Sequence, residues 1–242
     1  MSKPKFYGAA MHVLTAEPIT KQDQQANIDG WVASLNAPLL SRLMPVRDDQ
    51  EASGPADSTS AKAKRQLEFA NGRRCAESLL KRLGNTNQVW TNDDRSPAWP
   101  LGYTGSISHS RNWTWAAVTQ KSRLNSVGID TEPVIDTQTR EEIIFEVATP
   151  AEWKACQETA LTDDQLFSLI FSAKEAFYKC CYPIVQQYFG FEHAVAEIID
   201  EGKIKIRTHQ SHPCFGQMPQ SLEVHYRFTP ENVFTITWME PA

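Results

Sequence analysis

The chain has 242 residues, 41% of them apolar and 22% charged, with a net charge of −5; this is an ordinary globular composition, long enough for one large domain or two of about half that size. The acidic balance argues against a general nucleic-acid binder, no apolar run approaches the ~18–20 residues that span a bilayer, and the start Met1-Ser-Lys-Pro-Lys-Phe6 lacks the apolar core of a secretion signal. Five cysteines without a Cys-x-x-Cys pattern read as reduced thiols, so a cytoplasmic protein with neither a nucleic-acid nor a membrane partner is expected.

In chain order, residues 1–47 carry few signals beyond the apolar Trp31-Val-Ala-Ser-Leu35 and Leu39-Leu40, which read as packed. Asp48 to Ser60 is small and polar, the composition of an exposed loop. Lys62 to Leu83 reads as a helix stopped by Gly84. It carries seven cations, Lys62, Lys64, Arg65, Arg73, Arg74, Lys81 and Arg82, opposed only by Glu68 and Glu77. Such a segment in an acidic chain is either a solvated face or a local field that attracts an anion. Gly72 in its middle costs about 1 kcal/mol relative to Ala, which points to a ligand or another helix approaching the backbone there.

Arg95-Ser-Pro-Ala-Trp-Pro100 is extended, since each proline restricts the residue before it. Gly105-Ser-Ile-Ser-His109 reads as a strand, Ser110-Arg-Asn112 as a turn and Trp113 to Val118 as the return strand. Val127 to Asp130 is expected as the third strand of this meander. Ser108-His109 lacks the Gly-x-Ser-x-Gly frame of a hydrolase elbow, and His109 on its own fits a structural role as well as a binding one. In Val127-Gly-Ile-Asp-Thr-Glu132, residues two apart on a strand point the same way, so Asp130 and Glu132 share one side.

Thr149-Pro-Ala-Glu152 and Thr162-Asp-Asp-Gln165 are capping boxes that open two helices. The second runs through Phe171-Ser-Ala-Lys-Glu-Ala-Phe-Tyr-Lys179, where Glu175 and Lys179 stand four apart on one face. Alone, that pair is a surface ion pair. With Asp130 and Glu132 it becomes a set of three carboxylates from two elements, suited to a hard cation such as Mg²⁺. Beyond Pro183 the chain turns to strands: Phe191–Ile199 and Lys203–Thr208 flank Glu201-Gly202, and Leu222–Thr229 and Val233–Trp238 flank Pro230-Glu-Asn232. His209, His212 and Cys214 imitate a zinc cluster but lack a fourth ligand at suitable spacing.

The pair Val-Gly-Ile-Asp-Thr-Glu132 and Phe-Ser-Ala-Lys-Glu-Ala-Phe-Tyr-Lys179, in this order and separation, resembles the 4′-phosphopantetheinyl transferases. Lys64-Arg-Gln-Leu-Glu-Phe-Ala-Asn-Gly-Arg-Arg-Cys-Ala76 resembles their helix that contacts coenzyme A. Arg95-x-Pro97 with Gly-Ser-Ile-Ser-His109 resembles their upstream motif, Tyr182 to His193 resembles the segment after the catalytic helix in the proteobacterial branch typified by the enterobactin-synthase transferase, and the whole looks like the surfactin-synthase/enterobactin-synthase type. The similarity covers roughly Lys62 to His193. It implies an α/β (α+β) fold of two pseudo-symmetric halves in one monomeric chain, residues 1–124 and 125–242, with the site between them. It also implies that Mg²⁺ sits on Asp130, Glu132 and Glu175, that Glu175 and Lys179 are catalytic, and that Arg65, Arg73, Arg95, Ser108 and His109 bind coenzyme A. The implied activity is transfer of 4′-phosphopantetheine from coenzyme A to a serine of an apo acyl or peptidyl carrier protein, in fatty-acid, polyketide or non-ribosomal peptide synthesis, siderophore assembly included. Two other readings stay open: a Mg²⁺-dependent diphosphate hydrolase acting on coenzyme A or a nucleotide, and a non-catalytic carrier-binding protein.

Overall fold

Strand Trp113–Gln120 is buried along nearly its whole length because it has an apolar layer on each face. Trp113, Trp115 and Ala117 point one way and Ala116 and Val118 the other, the two-residue alternation of a strand. The fold is built outward from this strand. The computed structural model describes residues 20–46, 58–208, 216 and 219–241. The elements are α1 (Lys21–Ser34), β1 (Leu40–Pro45), α2 (Ser58–Arg82), β2 (Trp90–Thr91), β3 (Pro97–Ala98), β4 (Tyr103–His109), β5 (Trp113–Gln120), β6 (Ser126–Pro133), α3 (Thr137–Val147), α4 (Pro150–Cys156), α5 (Asp163–Val185), β7 (Ala194–Asp200), β8 (Lys203–Thr208), β9 (Ser221–Phe228) and β10 (Asn232–Met239). A single 3₁₀ turn, Phe191–His193, precedes β7.

Two antiparallel sheets form the frame, in the orders β1-β5-β4 and β6-β10-β9-β8-β7, with β2 and β3 as a small separate ladder. Helix α2 packs on the first sheet through Cys75, Ala76, Leu79 and Leu80. Helix α5 packs on the second through Leu166, Phe167, Ile170, Ala173 and Phe177, against Ala194, Ile204, Val224 and Val233. The opposite side of β6 and β10 presents Val127, Ile129, Phe234 and Ile236 to Trp113 and Trp115 of β5 and to Ile28 and Trp31 of α1. The chain is thus mixed α and β, each half a long helix laid on an antiparallel sheet.

Several sequence expectations change here. The strand beginning at Val127 does not join the β4–β5 meander; β6 pairs with β10, and the third strand of the first sheet is β1. The helix starts at Ser58, not Lys62, so the end of the polar loop segment is helical; residues 48–57 lie outside the described residues, as do His209, His212 and Cys214. Pro183 does not end α5, which runs to Val185 and stops at Gln186 in the left-handed conformation (φ 49°). The stretch Thr137–Val147, not foreseen, is a helix whose Asp136 caps it by accepting from Thr139 N. Gly72 makes room for packing, not for a ligand: a Cβ there would meet Ile107 Cγ2 at 2.8 Å, so α2 lies directly on β4. The two capping boxes, at Thr149 and Thr162, form as expected.

Candidate active site

Strand β6 is the edge of its sheet, so alternate backbone N–H groups along it lack a ladder partner. Two serines of β4 supply the acceptors. Ser106 Oγ accepts from Ile129 N at 3.1 Å and Ser108 Oγ accepts from Thr131 N at 3.3 Å. The i, i+2 spacing in Gly-Ser-Ile-Ser-His109 places both hydroxyls on one side of β4. This seam joins the two sheets and brings the β4 end to Asp130.

On its other face β6 meets α5 at very close range. A Cβ on Gly128 would collide with the Ala176 carbonyl oxygen and with Cys180 N, so only glycine lets the helix backbone rest on the strand. Ser126 Oγ donates to Cys180 O at 2.6 Å and fixes the crossing. Gly128 and Asp130 therefore face α5, and Glu132 follows by the same alternation. On the helix, Ser172, Glu175 and Lys179 recur at i, i+3 and i+7, one face. Strand and helix thus aim Asp130, Glu132, Glu175 and Lys179 into one region, as the sequence implies.

The geometry of that region is specific. Lys179 Nζ donates to Asp130 Oδ1 at 2.6 Å and to Ser108 Oγ at 3.3 Å. Ser108 Oγ donates to the same Oδ1 at 2.8 Å, and Ser172 Oγ donates to Oδ2 at 2.8 Å. The Asp130 side chain is 2% exposed and that of Lys179 28%, so the pair opens to solvent on the lysine side only. Burial works against the Lys179 charge, but Asp130 and Glu175 outweigh it and hold the ammonium above its usual value. Burial pushes the Glu132 carboxyl up to about 8; Asp130 and Glu175 add to the rise and Lys179 opposes it. The Glu175 carboxyl is raised mainly by burial, with Asp130 adding and Lys179 opposing. These mutual effects place three carboxylates and one ammonium within each other's fields, a surplus of negative charge.

Among the described residues no three acidic, histidine or cysteine side chains already surround a common point for a metal ion. The nearest cation to Asp130 is Lys179. The donor set itself fits a hard divalent cation: every candidate atom is a carboxylate oxygen, and the surplus charge has one ammonium against it. For Glu132 and Glu175 the influences are burial and neighbouring charge alone, with no hydrogen bond among them.

Beside Glu175 a groove runs along α5 to the turn before β7, lined by Tyr178, Tyr188, Phe189, Gly190 and Phe191. Its far wall is held by an ion pair that sequence reasoning did not single out. Lys174 Nζ bonds Glu152 Oε1 at 2.8 Å, Val147 O at 2.7 Å and Phe191 O at 3.3 Å, both side chains being at most 2% exposed. Glu152 Oε1 also accepts from Ala196 N at 2.6 Å. The node ties the end of α3, the start of α4 and the entry to β7 onto α5. The adjacency of a second lysine to Glu175 was its visible signal.

The residues expected to bind coenzyme A are scattered more widely. Arg65 and Arg95 are exposed, Arg95 in a turn at φ 70°. Arg73 lies over the Phe69 ring at 4.6 Å, its Nη2 donates to Thr91 Oγ1 at 3.3 Å, and its buried Nε has no partner among the described residues. That orphaned donor is suited to an anion. His109 is exposed at the end of β4, whereas Ser108 is buried and committed to Asp130 and the seam. The two neighbours thus face opposite ways, Ser108 toward the carboxylate cluster and His109 toward solvent.

Residues 126–231 match the family model described as the 4′-phosphopantetheinyl transferase superfamily, and residues 55–119 match that of the 4′-phosphopantetheinyl transferase N-terminal domain. The chain is 34% identical to 4′-phosphopantetheinyl transferase Npt of Nocardia iowensis over 159 residues, 64% of this chain and 69% of that protein. It is 33% identical to 4′-phosphopantetheinyl transferase PptT of Mycobacterium tuberculosis over 133 residues, 54% of this chain and 58% of that protein. It is 29% identical to enterobactin synthase component D of Escherichia coli (strain K12) over 173 residues, 72% of this chain and 77% of that protein.

Proposed function

The chain belongs to the 4′-phosphopantetheinyl transferase superfamily, and on that premise we propose a Mg²⁺-dependent enzyme that moves the 4′-phosphopantetheine arm of coenzyme A onto a serine of an apo acyl or peptidyl carrier protein. The observation that carries this reading is the crowding of Asp130, Glu132 and Glu175 around Lys179, with two of the carboxyls pushed up by burial and by each other. A diphosphate does not enter so negative a site unless a cation joins it. Held by Asp130, Glu132 and Glu175, Mg²⁺ would neutralise the diphosphate and polarise the phosphorus under attack.

The chain's own residues then do the rest. Glu175, its affinity for a proton raised by burial, takes the proton of the carrier serine hydroxyl, directly or through a water. The serine oxygen forms its bond to the pantetheine-side phosphorus as the bond to the bridging oxygen breaks, and 3′,5′-ADP leaves with that electron pair. Lys179 holds its proton more tightly than an ordinary lysine, which suits electrostatic stabilisation of the departing phosphate better than proton donation. Arg65 and Arg73, with Arg95 and His109, would bind the nucleotide end, and the aromatic groove beside Glu175 would receive the pantetheine arm. The half boundary falls between residues 124 and 125, one residue before β6, in a cytoplasmic monomer.

Incubation with coenzyme A, an apo carrier and Mg²⁺, followed by intact mass spectrometry of the carrier, tests the reading: the carrier gains one phosphopantetheine. Mg²⁺-stimulated release of 3′,5′-ADP in the absence of any carrier would favour a hydrolase instead.

A further inference from the structure

Asp130 has two oxygens, with about four lone-pair directions between them. Oδ1 accepts from Lys179 and from Ser108, and Oδ2 accepts from Ser172. Three directions are filled, and the remaining one lies on Oδ2. Ser172 is fully buried on α5 and its single hydroxyl hydrogen goes to the carboxylate, which cannot donate back. Its oxygen stands 2.9 Å from Thr235 Oγ1 of β10, equally buried. With the Ser172 hydrogen committed, Thr235 donates to Ser172 Oγ, to Ser172 O at 3.0 Å or to Asp130 O at 3.5 Å. The Thr235 alcohol thus packs behind that of Ser172, whose own hydrogen ends on Asp130.

Resting on the transferase reading, we infer that Ser172, backed by Thr235, is a positioning residue for the reaction: by holding Oδ2 it fixes the rotation of the Asp130 carboxylate and keeps Oδ1 against Lys179. Without the hydroxyl, Oδ2 has no donor among the described residues and the carboxylate is held at Oδ1 alone, by Lys179 and Ser108, so it swings more widely about its last torsion, a broad one. The partner atom of Lys179 is then less firmly placed. Thr235 keeps Ser172 O as an acceptor, so removal of the Ser172 hydroxyl orphans no other buried group.

The test uses the full chain in a carrier-transfer assay together with nitrogen-15 lysine spectroscopy. Ser172→Ala is expected to lower kcat at least ~tenfold, with KM for coenzyme A within about twofold. Ser172→Thr, which keeps the hydroxyl, should recover most of kcat. In an Asp130→Ala background, Ser172→Ala should have no further effect, because its target is gone. The Lys179 ammonium resonance, assigned by its loss in Lys179→Arg, should be sharp in the parent and in Ser172→Thr and exchange-broadened in Ser172→Ala. A full additional loss in the Asp130→Ala background, or an unchanged lysine resonance in Ser172→Ala, would overturn the inference. A parent that transfers normally beside an equally active Ser172→Ala overturns it alone. A parent that transfers nothing removes the transferase reading, and the lysine resonance still decides this one.

Discussion

The Lys179 ammonium stands 2.6 Å from Asp130 Oδ1, so the helix that carries Glu175 is tied by a charge-assisted hydrogen bond to the strand that carries Glu132. Sequence places 49 positions between the two partners, and the link holds because Gly128 lets α5 rest on β6. The proposed catalytic groups and the packing of α5 on β6 meet at this crossing.

Each of Asp130→Ala, Glu132→Ala and Glu175→Ala should leave a folded protein with turnover reduced at least ~10²-fold, the scale of a lost electrostatic or acid–base participant. Steady-state kcat at saturating Mg²⁺ measures it. The Asp130 and Glu132 losses should be strongly non-additive, since both act on one charge centre. A Glu175→Ala variant as active as the parent would remove Glu175 from the site.

Gly128→Ala tests the crossing itself. The added methyl meets backbone of α5, the Ala176 carbonyl and Cys180 N, which cannot rotate away. A loss of roughly 1–3 kcal/mol or more in urea unfolding is expected, with kcat falling because Lys179 and Glu175 shift with the helix. Gly30→Ala is the comparison: a Cβ there has open space in the middle of α1, and stability should rise by about 0.5–1 kcal/mol, the helix preference for alanine.

The residues expected to bind coenzyme A were the least legible part of the candidate site. Separation and residue type alone placed Asp130, Glu132, Glu175 and Lys179 together, because strand alternation and helical spacing are local rules. The partners of Asp130 were hidden. Ser108, Ser172 and Thr235 come from three elements, and nothing local to a serine says which carboxylate it will reach. The same holds for Lys174, whose partner Glu152 was visible only as the last residue of a capping box. The sheet assignment of β6 failed for a related reason: a short apolar strand after a hairpin pairs with its neighbour or with a distant strand equally well on pattern, and β10 lies about a hundred residues on. The mid-helix Gly72 does mark a close approach to the backbone, but what approaches is Ile107 of strand β4, neither a ligand nor another helix.

The acidic cluster has a pH consequence. The Glu132 carboxyl is pushed from 4.5 up to about 8 in the folded chain. Between those values the folded, metal-free protein keeps a proton that the unfolded chain has released, so unfolding free energy falls as pH rises through the window. Glu132→Gln removes that proton difference. The melting temperature of the parent minus that of Glu132→Gln, both without divalent cations, should therefore decrease from about pH 5 to pH 8. A difference that grows with pH would contradict the crowding.

Arg65 and Arg73 are proposed to meet the 3′-phosphate of coenzyme A. A charge-assisted bond to phosphate contributes roughly 1.5–3 kcal/mol, about tenfold to a hundredfold in affinity. Arg65→Ala should raise KM for coenzyme A by that order and leave KM for dephospho-coenzyme A nearly unchanged. Arg82→Ala, exposed at the helix end, is the control and should alter neither. Equal use of both substrates by the parent would reduce α2 to a solvated face.

The most direct measurement follows both products of one reaction. The parent and Glu175→Gln are incubated with coenzyme A and Mg²⁺, with and without an apo carrier, while the carrier's mass and the released nucleotide are recorded. The account predicts that the parent's carrier gains one phosphopantetheine, that 3′,5′-ADP appears in equal amount and only when the carrier is present, and that Glu175→Gln forms both at least ~10²-fold more slowly. Nucleotide release without carrier, or full-rate transfer by Glu175→Gln, would contradict it.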